Sequence, residues 1–387
     1  MARRASHLHH SNQLLQTFTS RGLHTTPCAS RFRFLISHSF QGKPPEPDAP
    51  QPSSSKAVPP RPKKQIGWPN TSEIGKWREA LLGGGEAGED SLMVATIDGA
   101  AAEQAGDIAI GVADGVGSWS ENGVDPALFS QSLMYHASQA FAAASGAADP
   151  SANPVRLISD AYDHVLADPG VPAGSSTAVV VTLESATGLL RSANVGDSGF
   201  VVLREGVRGS EPLAGALYRS SPQQYYFNAP YQLSKIPAKV MEQWKRENGG
   251  QSPSLECRPD MANRWECNLK HGDLVIVASD GAWDNVWGKE WVALVRFLRE
   301  KHHEAFESQR QQNESAAASV SPDLRWKEEK TLVEVVAYNA LQYTLMCQFS
   351  EKKRSPFEAE AEKSRLRYSG GKVDDIAIVV AMVVEET

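Results

Sequence analysis

The sequence predicts an α+β fold in which antiparallel strands pack with helices as a sandwich. Short apolar runs bounded by turn residues indicate strands, and several of them are separated by only a few residues, as at 184–188. Such spacing is typical of hairpins and antiparallel pairing. Helical patterns come in pairs between groups of strands and do not follow each strand, which disfavours a parallel, doubly wound sheet.

The elements follow from the spacing of apolar residues in a domain expected to span 67–387, beginning near Trp68. Apolar runs predict strands at 91–96, 108–113, 177–183, 189–193, 200–203, 274–278 and 376–384. Apolar residues at helical spacing predict helices at 126–144, 154–167, 289–300 and 331–349. Residues 301–328 are polar and rich in Gln, Ser and Ala, so we expect a surface insertion or mobile loop there.

The first 45 residues differ from the rest in composition. They contain six basic residues and no acid, since the first acidic residue is Glu46, and they are rich in Ser, Thr and His. This composition is typical of a mitochondrial presequence, so we expect residues 1–45 to direct the protein to the mitochondrial matrix. A disordered basic tail is the alternative. Proline then clusters over 44–62, and residues 46–66 are expected to form an extended linker.

The remainder of the chain is acidic, with 33 basic against 46 acidic residues. A body of this charge repels polyphosphate backbones and attracts divalent cations, so nucleic acid is not an expected partner. The longest apolar run near the C-terminus, 376–384, has nine residues. A membrane span needs about 20, so we expect no transmembrane segment.

Acidic residues stand at the ends of the predicted strands: Glu89-Asp90, Asp114-Gly115, Asp197, Asp280-Gly281, Asp284 and Asp374-Asp375. Mg²⁺ and Mn²⁺ take oxygen ligands, and a sheet holds such carboxylates at fixed separations. Two ions about 3.5–4 Å apart can share a hydroxide and direct it at phosphorus. A single Asp-Gly pair is also a common turn dipeptide. Spacing alone therefore leaves a metal site and ordinary turns both open.

Four segments occur in the order of a known family: GVADGVG at 111–117, ANVGDSG at 193–199, ASDGAWDN at 278–285 and GKVDDI at 371–376. With GSSTA at 174–178, they resemble the PPM phosphatases, the type 2C protein serine/threonine phosphatases, over about residues 85–384. DGVGSW at 114–119, GVDP at 123–126, YFNAPYQLS at 226–234 and SPF at 355–357 resemble the mitochondrial branch linked to coenzyme Q biosynthesis.

The resemblance implies a four-layer αββα sandwich and a role for each acidic residue. Asp114, Asp280 and Asp374 would form the catalytic centre, with Asp114 bridging two Mn²⁺ or Mg²⁺ ions and the other two completing the ligands of the first. The second ion would take Glu89 and the carbonyl of Gly115, with Asp90 holding a coordinated water. Asp197 and Asp284 fall where the family places a third, weaker ion.

The implied activity is hydrolysis of phosphoserine and phosphothreonine by a hydroxide that bridges the two ions. Phosphoproteins would be the substrates, among them a hydroxylase of ubiquinone synthesis, and we expect a monomer. The chain departs from the family at three positions. Val116 stands where many members carry a His that protonates the leaving oxygen, Gly85 replaces a phosphate-binding Arg, and Ala377 replaces a Thr. The general acid is therefore unassigned.

Two other functions are compatible with parts of the pattern. A catalytically inactive PPM-fold scaffold or regulatory binding protein is the alternative, although every direct metal ligand is present. GDSG at 196–199 also resembles the nucleophile segment of chymotrypsin-like proteases. That chemistry needs a His base in a matching setting, whereas His136 and His164 lie in helical stretches and Phe200 begins a strand.

Overall fold

Two five-stranded antiparallel sheets form the centre of the structure, a computed structural model that describes residues 32–44, 66–97, 106–205, 216–247, 257–313 and 322–386. The strands are β1 (Phe32–Gln41), β2 (Asp90–Thr96), β3 (Ile108–Asp114), β4 (Gly174–Ser176), β5 (Ala178–Leu183), β6 (Leu189–Val195), β7 (Gly199–Leu203), β8 (Ala216–Arg219), β9 (Gln224–Tyr226), β10 (Ala229–Pro230), β11 (Leu233–Lys235), β12 (Asn263–Asn268), β13 (Leu274–Ala278) and β14 (Ile376–Glu385). The first sheet has the order β1-β14-β13-β7-β8 and the second β12-β6-β5-β3-β2.

The helices lie in the intervals between these strands. They are α1 (Glu73–Leu82), α2 (Ala127–Ala142), α3 (Pro154–Ala167), α4 (Ala238–Glu247), α5 (Asp280–Trp283), α6 (Gly288–Asn313), α7 (Pro322–Gln348) and α8 (Pro356–Lys363). Local sequence fixes where several begin. Asn153 and Ser355 each accept a backbone N–H from the first turn of α3 and α8, and a proline follows each cap. No helix in the described ranges is long and apolar enough to cross a membrane.

Three apolar cores separate the layers. Along β3, Ile108, Ile110 and Val112 point between the two sheets, whereas Ala109 and Ala113 point to the core beneath α2 and α3. This alternation is what a strand with both faces buried requires. A third core packs β13 and β14 against α6 and α7. The order helix, sheet, sheet, helix confirms the expected α+β, four-layer αββα sandwich.

The folded domain includes residues that the sequence analysis assigns to the presequence. β1 pairs with β14 along its whole length, from Phe32 opposite Glu385 to Gln41 opposite Ile376. Phe34 is 1 % exposed and lies in the core between the sheets. Without β1, the apolar strand β14 would be an uncovered edge. The domain therefore begins at or before Phe32 and not near Trp68, while the expected linker lies mostly outside the described residues.

The polar stretch at 301–328 is also largely regular. α6 continues to Asn313 and α7 begins at Pro322, and the intervening 314–321 lie outside the described residues. The expectation of a loop across 301–313 and 322–328 is therefore wrong. Lys, Glu and Gln are good helix formers, so a helix continues through them without an apolar face.

Candidate metal centre

The acidic residues converge where strand ends of both sheets meet. Asp90 opens β2 and lies directly opposite Asp114, the last residue of β3, in the strand register. Asp280 begins α5 after β13, Asp284 follows α5, and Asp374 precedes β14. Asp197 lies in the turn between β6 and β7. Like charges on facing residues of paired strands repel one another, so this arrangement calls for a cation.

Three of these side chains are close enough to share one ion. Asp114, Asp197 and Asp280 each offer a carboxylate oxygen, and these oxygens all lie within 4.8 Å of one another. Asp280 is buried, and the other two are half-buried. An all-carboxylate donor set on rigid elements suits a hard divalent cation such as Mg²⁺ or Mn²⁺.

Asp90 gives independent support for a cation. Its side chain is 3 % exposed, and both carboxylate oxygens are buried without a hydrogen-bond partner. A buried carboxylate is costly unless it is paired, protonated or bound to metal. Burial raises the pKa of Asp90 well above its usual value, and the nearby charge of Asp375 adds to the shift. A divalent ion or its bound water would satisfy these oxygens, so the residues present fit the implied ions.

The backbone around Asp114 is held in place by the neighbouring strands. The Asp114 N–H donates to Thr177 Oγ1 at 3.1 Å, and Ser176 Oγ donates to the Asp114 carbonyl at 2.8 Å. A Cβ on Gly115 would lie 2.7 Å from the carbonyl oxygen of Glu89 and 2.8 Å from that of Pro126. Only glycine therefore lets the chain turn here with the Glu89 backbone beside it.

Glu89 is oriented by two groups from distant parts of the chain. Lys43, just beyond β1, places Nζ 2.7 Å from Glu89 Oε2 and 3.6 Å from Asp375 Oδ2. Asp375 in turn accepts the backbone N–H groups of Lys43 and Glu89, at 2.6 and 2.9 Å. Asp375 thus ties the segment after β1 to the entrance of β2, which sets where the Glu89 carboxylate lies.

A second lysine lies at the opposite side of the cluster. Lys372 Nζ is 2.5 Å from Asp280 Oδ2, 2.8 Å from Asp284 Oδ2 and 3.0 Å from Asp374 Oδ2. These carboxylates keep the pKa of Lys372 well above its usual value although burial opposes them. The lysine is therefore positively charged within the site.

The site carries more negative charge than its own cations neutralise. Eight carboxyl groups take part: Glu89, Asp90, Asp114, Asp197, Asp280, Asp284, Asp374 and Asp375. Lys43 and Lys372 contact these carboxyl groups, and the positive charge of Arg219 attracts Asp284. Burial, and then the mutual repulsion of the carboxylates, raises the pKa of Asp114 well above its usual value. Two divalent ions would relieve most of this repulsion.

All eight residues predicted as ligands therefore lie in one site, since the cluster includes Glu89, Asp90, Asp114 with Gly115, Asp197, Asp280, Asp284 and Asp374. Their individual roles as ligands stay predictions. The sequence analysis missed Lys43, Lys372 and the positioning role of Asp375. Lys372 and Asp375 belong to the recognised GKVDDI segment, so a signal existed for both. Lys43 gave no signal because it lies just beyond β1, in a segment with the composition of a presequence.

Comparisons with known proteins agree with this geometry. The protein phosphatase PTC7 homolog fig of Drosophila mojavensis is 34% identical over 301 residues, which cover 76% of this chain and 78% of that relative. The human protein phosphatase PTC7 homolog is 30% identical over 312 residues, covering 80% and 84%. The chain belongs to the PPM family of protein phosphatases.

A solved structure agrees with the fold of this PPM phosphatase. The photosystem II phosphatase PBCP superposes with a TM-score of 0.54 at 22% identity, covering 90% of this chain and 98% of that one. At this identity the likeness concerns the fold alone. No protein-family model matches the chain.

Proposed function

We propose that this PPM phosphatase hydrolyses phosphoserine and phosphothreonine esters of proteins with two divalent ions, Mn²⁺ or Mg²⁺, held between the two sheets. The observation that carries the proposal is the convergence of eight carboxyl groups on one site, among them the unpartnered, buried carboxylate of Asp90. A cluster of this charge is unstable without cations and is suited to hold them.

The proposed ligands are those that the family resemblance implies, and the geometry supports them. Asp114 lies opposite Asp90 and shares the 4.8 Å cluster with Asp280, so it is the residue best placed to bridge two ions. Asp280 and Asp374 would hold one ion, and Glu89 with the Gly115 carbonyl would hold the other. Asp90 is set to accept a hydrogen bond from a bound water. When bound, the ions supply an activated hydroxide and neutralise the charge of the phosphate ester.

The chain's own residues orient this site. Lys43 and Asp375 hold Glu89, while Thr177 and Ser176 hold the Asp114 backbone. Val116 is apolar and follows the Asp-Gly pair, so its side chain cannot give a proton to the leaving oxygen. That proton therefore comes from water or from another group.

The test is hydrolysis of p-nitrophenyl phosphate and of a phosphoserine peptide by the full chain. We expect turnover with Mn²⁺ or Mg²⁺ that EDTA stops, and at least ~100-fold less turnover for Asp114→Asn. Asp163→Asn makes the same chemical change on the exposed face of α3 and should act like wild type. Absence of metal-dependent turnover would favour the inactive scaffold.

We further propose that this phosphatase works in the mitochondrial matrix, on phosphoproteins that include a hydroxylase of ubiquinone synthesis. The support is the acid-free, basic composition of residues 1–31 and the four branch segments of the sequence. Quantitative phosphoproteomics of mitochondria expressing wild type or Asp114→Asn is the test. Phosphosites that rise only with the inactive variant identify substrates, and their absence from coenzyme Q factors would contradict the pathway.

A further inference from the structure

Lys372 is held in place by its backbone as well as by its charge. Its N–H donates to Asn285 Oδ1 at 2.9 Å, and Asn285 Nδ2 donates to the Lys372 carbonyl at 2.8 Å. Asn285 Nδ2 also donates to the Gly281 carbonyl within α5. This reciprocal pairing fixes the lysine to the same short helix that carries Asp280 and precedes Asp284.

The ammonium group has the surroundings of a bound cation. It faces three carboxylates within 3.0 Å, which matches the three N–H donors of a lysine. The ring of Phe357 lies 5.1 Å away on a further side, within the range of a cation–π contact. The side chain of Lys372 is only 16 % exposed. The three carboxylates therefore have a positively charged partner within the chain itself.

We propose that Lys372 is a resident cation that takes the place of a third metal ion, so that this chain holds two divalent ions where the resemblance implies a third. The third ion was expected at Asp197 and Asp284. Lys372 already binds Asp284 Oδ2 and shares Asp280 with the predicted first ion. A divalent ion bound to Asp284 would lie within a few ångströms of the ammonium and be repelled by it.

Asp197, the other residue expected to bind the third ion, makes a different contact. Its Oδ2 accepts a hydrogen bond from Gln224 Nε2 at 3.0 Å, while its Oδ1 is buried without a partner. One carboxylate oxygen of Asp197 lies within 4.8 Å of an oxygen of Asp114 and of an oxygen of Asp280. Asp197 is therefore placed to contact a metal ion bound at Asp114, whereas Asp284 is paired with Lys372.

The inference rests on the proposed function, and counting bound ions tests it without measuring activity. Equilibrium dialysis of the full chain against Mn²⁺, with free Mn²⁺ read by electron paramagnetic resonance, should give two ions for wild type. Lys372→Met keeps the side-chain length, removes the charge and should raise the count to three. Lys372→Arg keeps the charge and should stay at two. Adding Asp284→Asn to Lys372→Met should return the count to two.

Three ions on wild type, or no gain in a folded Lys372→Met, would overturn the inference and leave the proposed function intact. Wild type that binds no Mn²⁺ would instead overturn both. If Lys372→Met does not fold, Asp284→Asn alone decides the matter. The count should remain two in that variant, because Asp284 binds the lysine, and loss of an ion would show that Asp284 is a metal ligand.

Discussion

Asp114 is repelled by more than one neighbouring carboxylate of the site. Its pKa is raised by burial and then by Asp280, Asp90, Asp374 and Asp197. In the metal-free protein this charge is a source of instability that the ions remove. The Asp114 carboxylate therefore destabilises the metal-free protein but binds metal in the metal-bound protein, as is common at functional sites.

Asp114→Asn should stabilise the metal-free protein while it removes activity. The amide is nearly isosteric and uncharged, so it relieves repulsion within the cluster. We expect a rise of about 1–2 kcal/mol in the free energy of unfolding with EDTA present. Chemical denaturation of wild type, Asp114→Asn and Asp163→Asn gives the measurement. A variant less stable than wild type would argue that Asp114 is paired and not repelled.

Asp197 predicts how the stability of the metal-free protein depends on pH. Burial, followed by the charges of Asp280 and Asp284, raises its pKa from 3.8 to about 7. The folded state therefore binds this proton more tightly than the unfolded state does. Stability is greatest below the unfolded value and falls as pH rises from about 4 to about 7. The metal-free protein should melt at a lower temperature at pH 8 than at pH 6.

Thermal unfolding with EDTA across pH 5.5–8.5 measures this effect. Asp197→Asn removes the titratable carboxyl group, so stability should fall less steeply with pH. At pH 8 the variant's free energy of unfolding should exceed that of wild type by up to ~4 kcal/mol. Mn²⁺ should reverse the trend, because the ions bind the charged carboxylates more tightly at higher pH. An equally steep decline in the variant would assign the dependence to other groups.

At the residue scale, the sequence could predict which acidic residues form the site, but not which lysines contact their carboxylates. All of the carboxylates except Asp284 are visible because they stand near a strand end beside glycine or another acid. Lys372 contacts Asp280 from 92 positions away, and Lys43 contacts Glu89 from 46 positions away. Such pairs depend on the three-dimensional arrangement of the sheets, which apolar periodicity does not specify.

Among the elements, β1 decides where the boundary between the presequence and the folded domain lies. Its apolar residues, Phe32, Phe34 and Leu35, are buried, whereas Arg33 is exposed. This pattern resembles the basic, apolar composition of a presequence, so composition alone assigns it wrongly. Strands inside the domain were predictable because turn residues bound them on both sides, as at β5 and β6. α6 and α7 were predicted too short for a different reason, since their outer turns are mostly polar.

Phe34→Ala tests whether β1 stabilises the fold. The ring is 1 % exposed between the sheets, and its removal leaves a cavity. We expect a loss of about 3–5 kcal/mol in the free energy of unfolding. Arg33→Ala, on the opposite face of the same strand, loses an exposed ion pair with Glu386 and should cost at most ~1 kcal/mol. Similar, small losses for both variants would mean that β1 contributes little.

The whole molecule is a scaffold that brings strand ends from two sheets to one acidic site. β2 and β3 supply Asp90 and Asp114 from the second sheet, and β13 and β14 lie next to Asp280 and Asp374 in the first. Packing of the sheets through their shared core therefore fixes the distances between ligands. The α+β sandwich was predictable from strand and helix order, and its four αββα layers from the family resemblance. The pairing of β1 with β14 joins the two ends of the described chain and had no local signal.

The division between targeting and folding should fall before β1. A chain that begins with Met followed by Phe32 keeps every described strand as well as Lys43. We expect this variant to have the thermal stability and specific activity of wild type and to remain in the cytosol of cells. Fusion of residues 1–31 to a fluorescent protein should carry that protein into mitochondria.

A chain lacking residues 1–43 is the matched comparison, because it loses β1 and the lysine that binds Glu89. It should melt at a lower temperature and lose metal-dependent turnover, since β14 is left with an open edge and Glu89 with no cation. Imaging, melting and turnover together separate the two roles of the N-terminal region. Mitochondrial import of the chain lacking 1–31 would refute the targeting assignment, and full stability of the chain lacking 1–43 would refute the structural one.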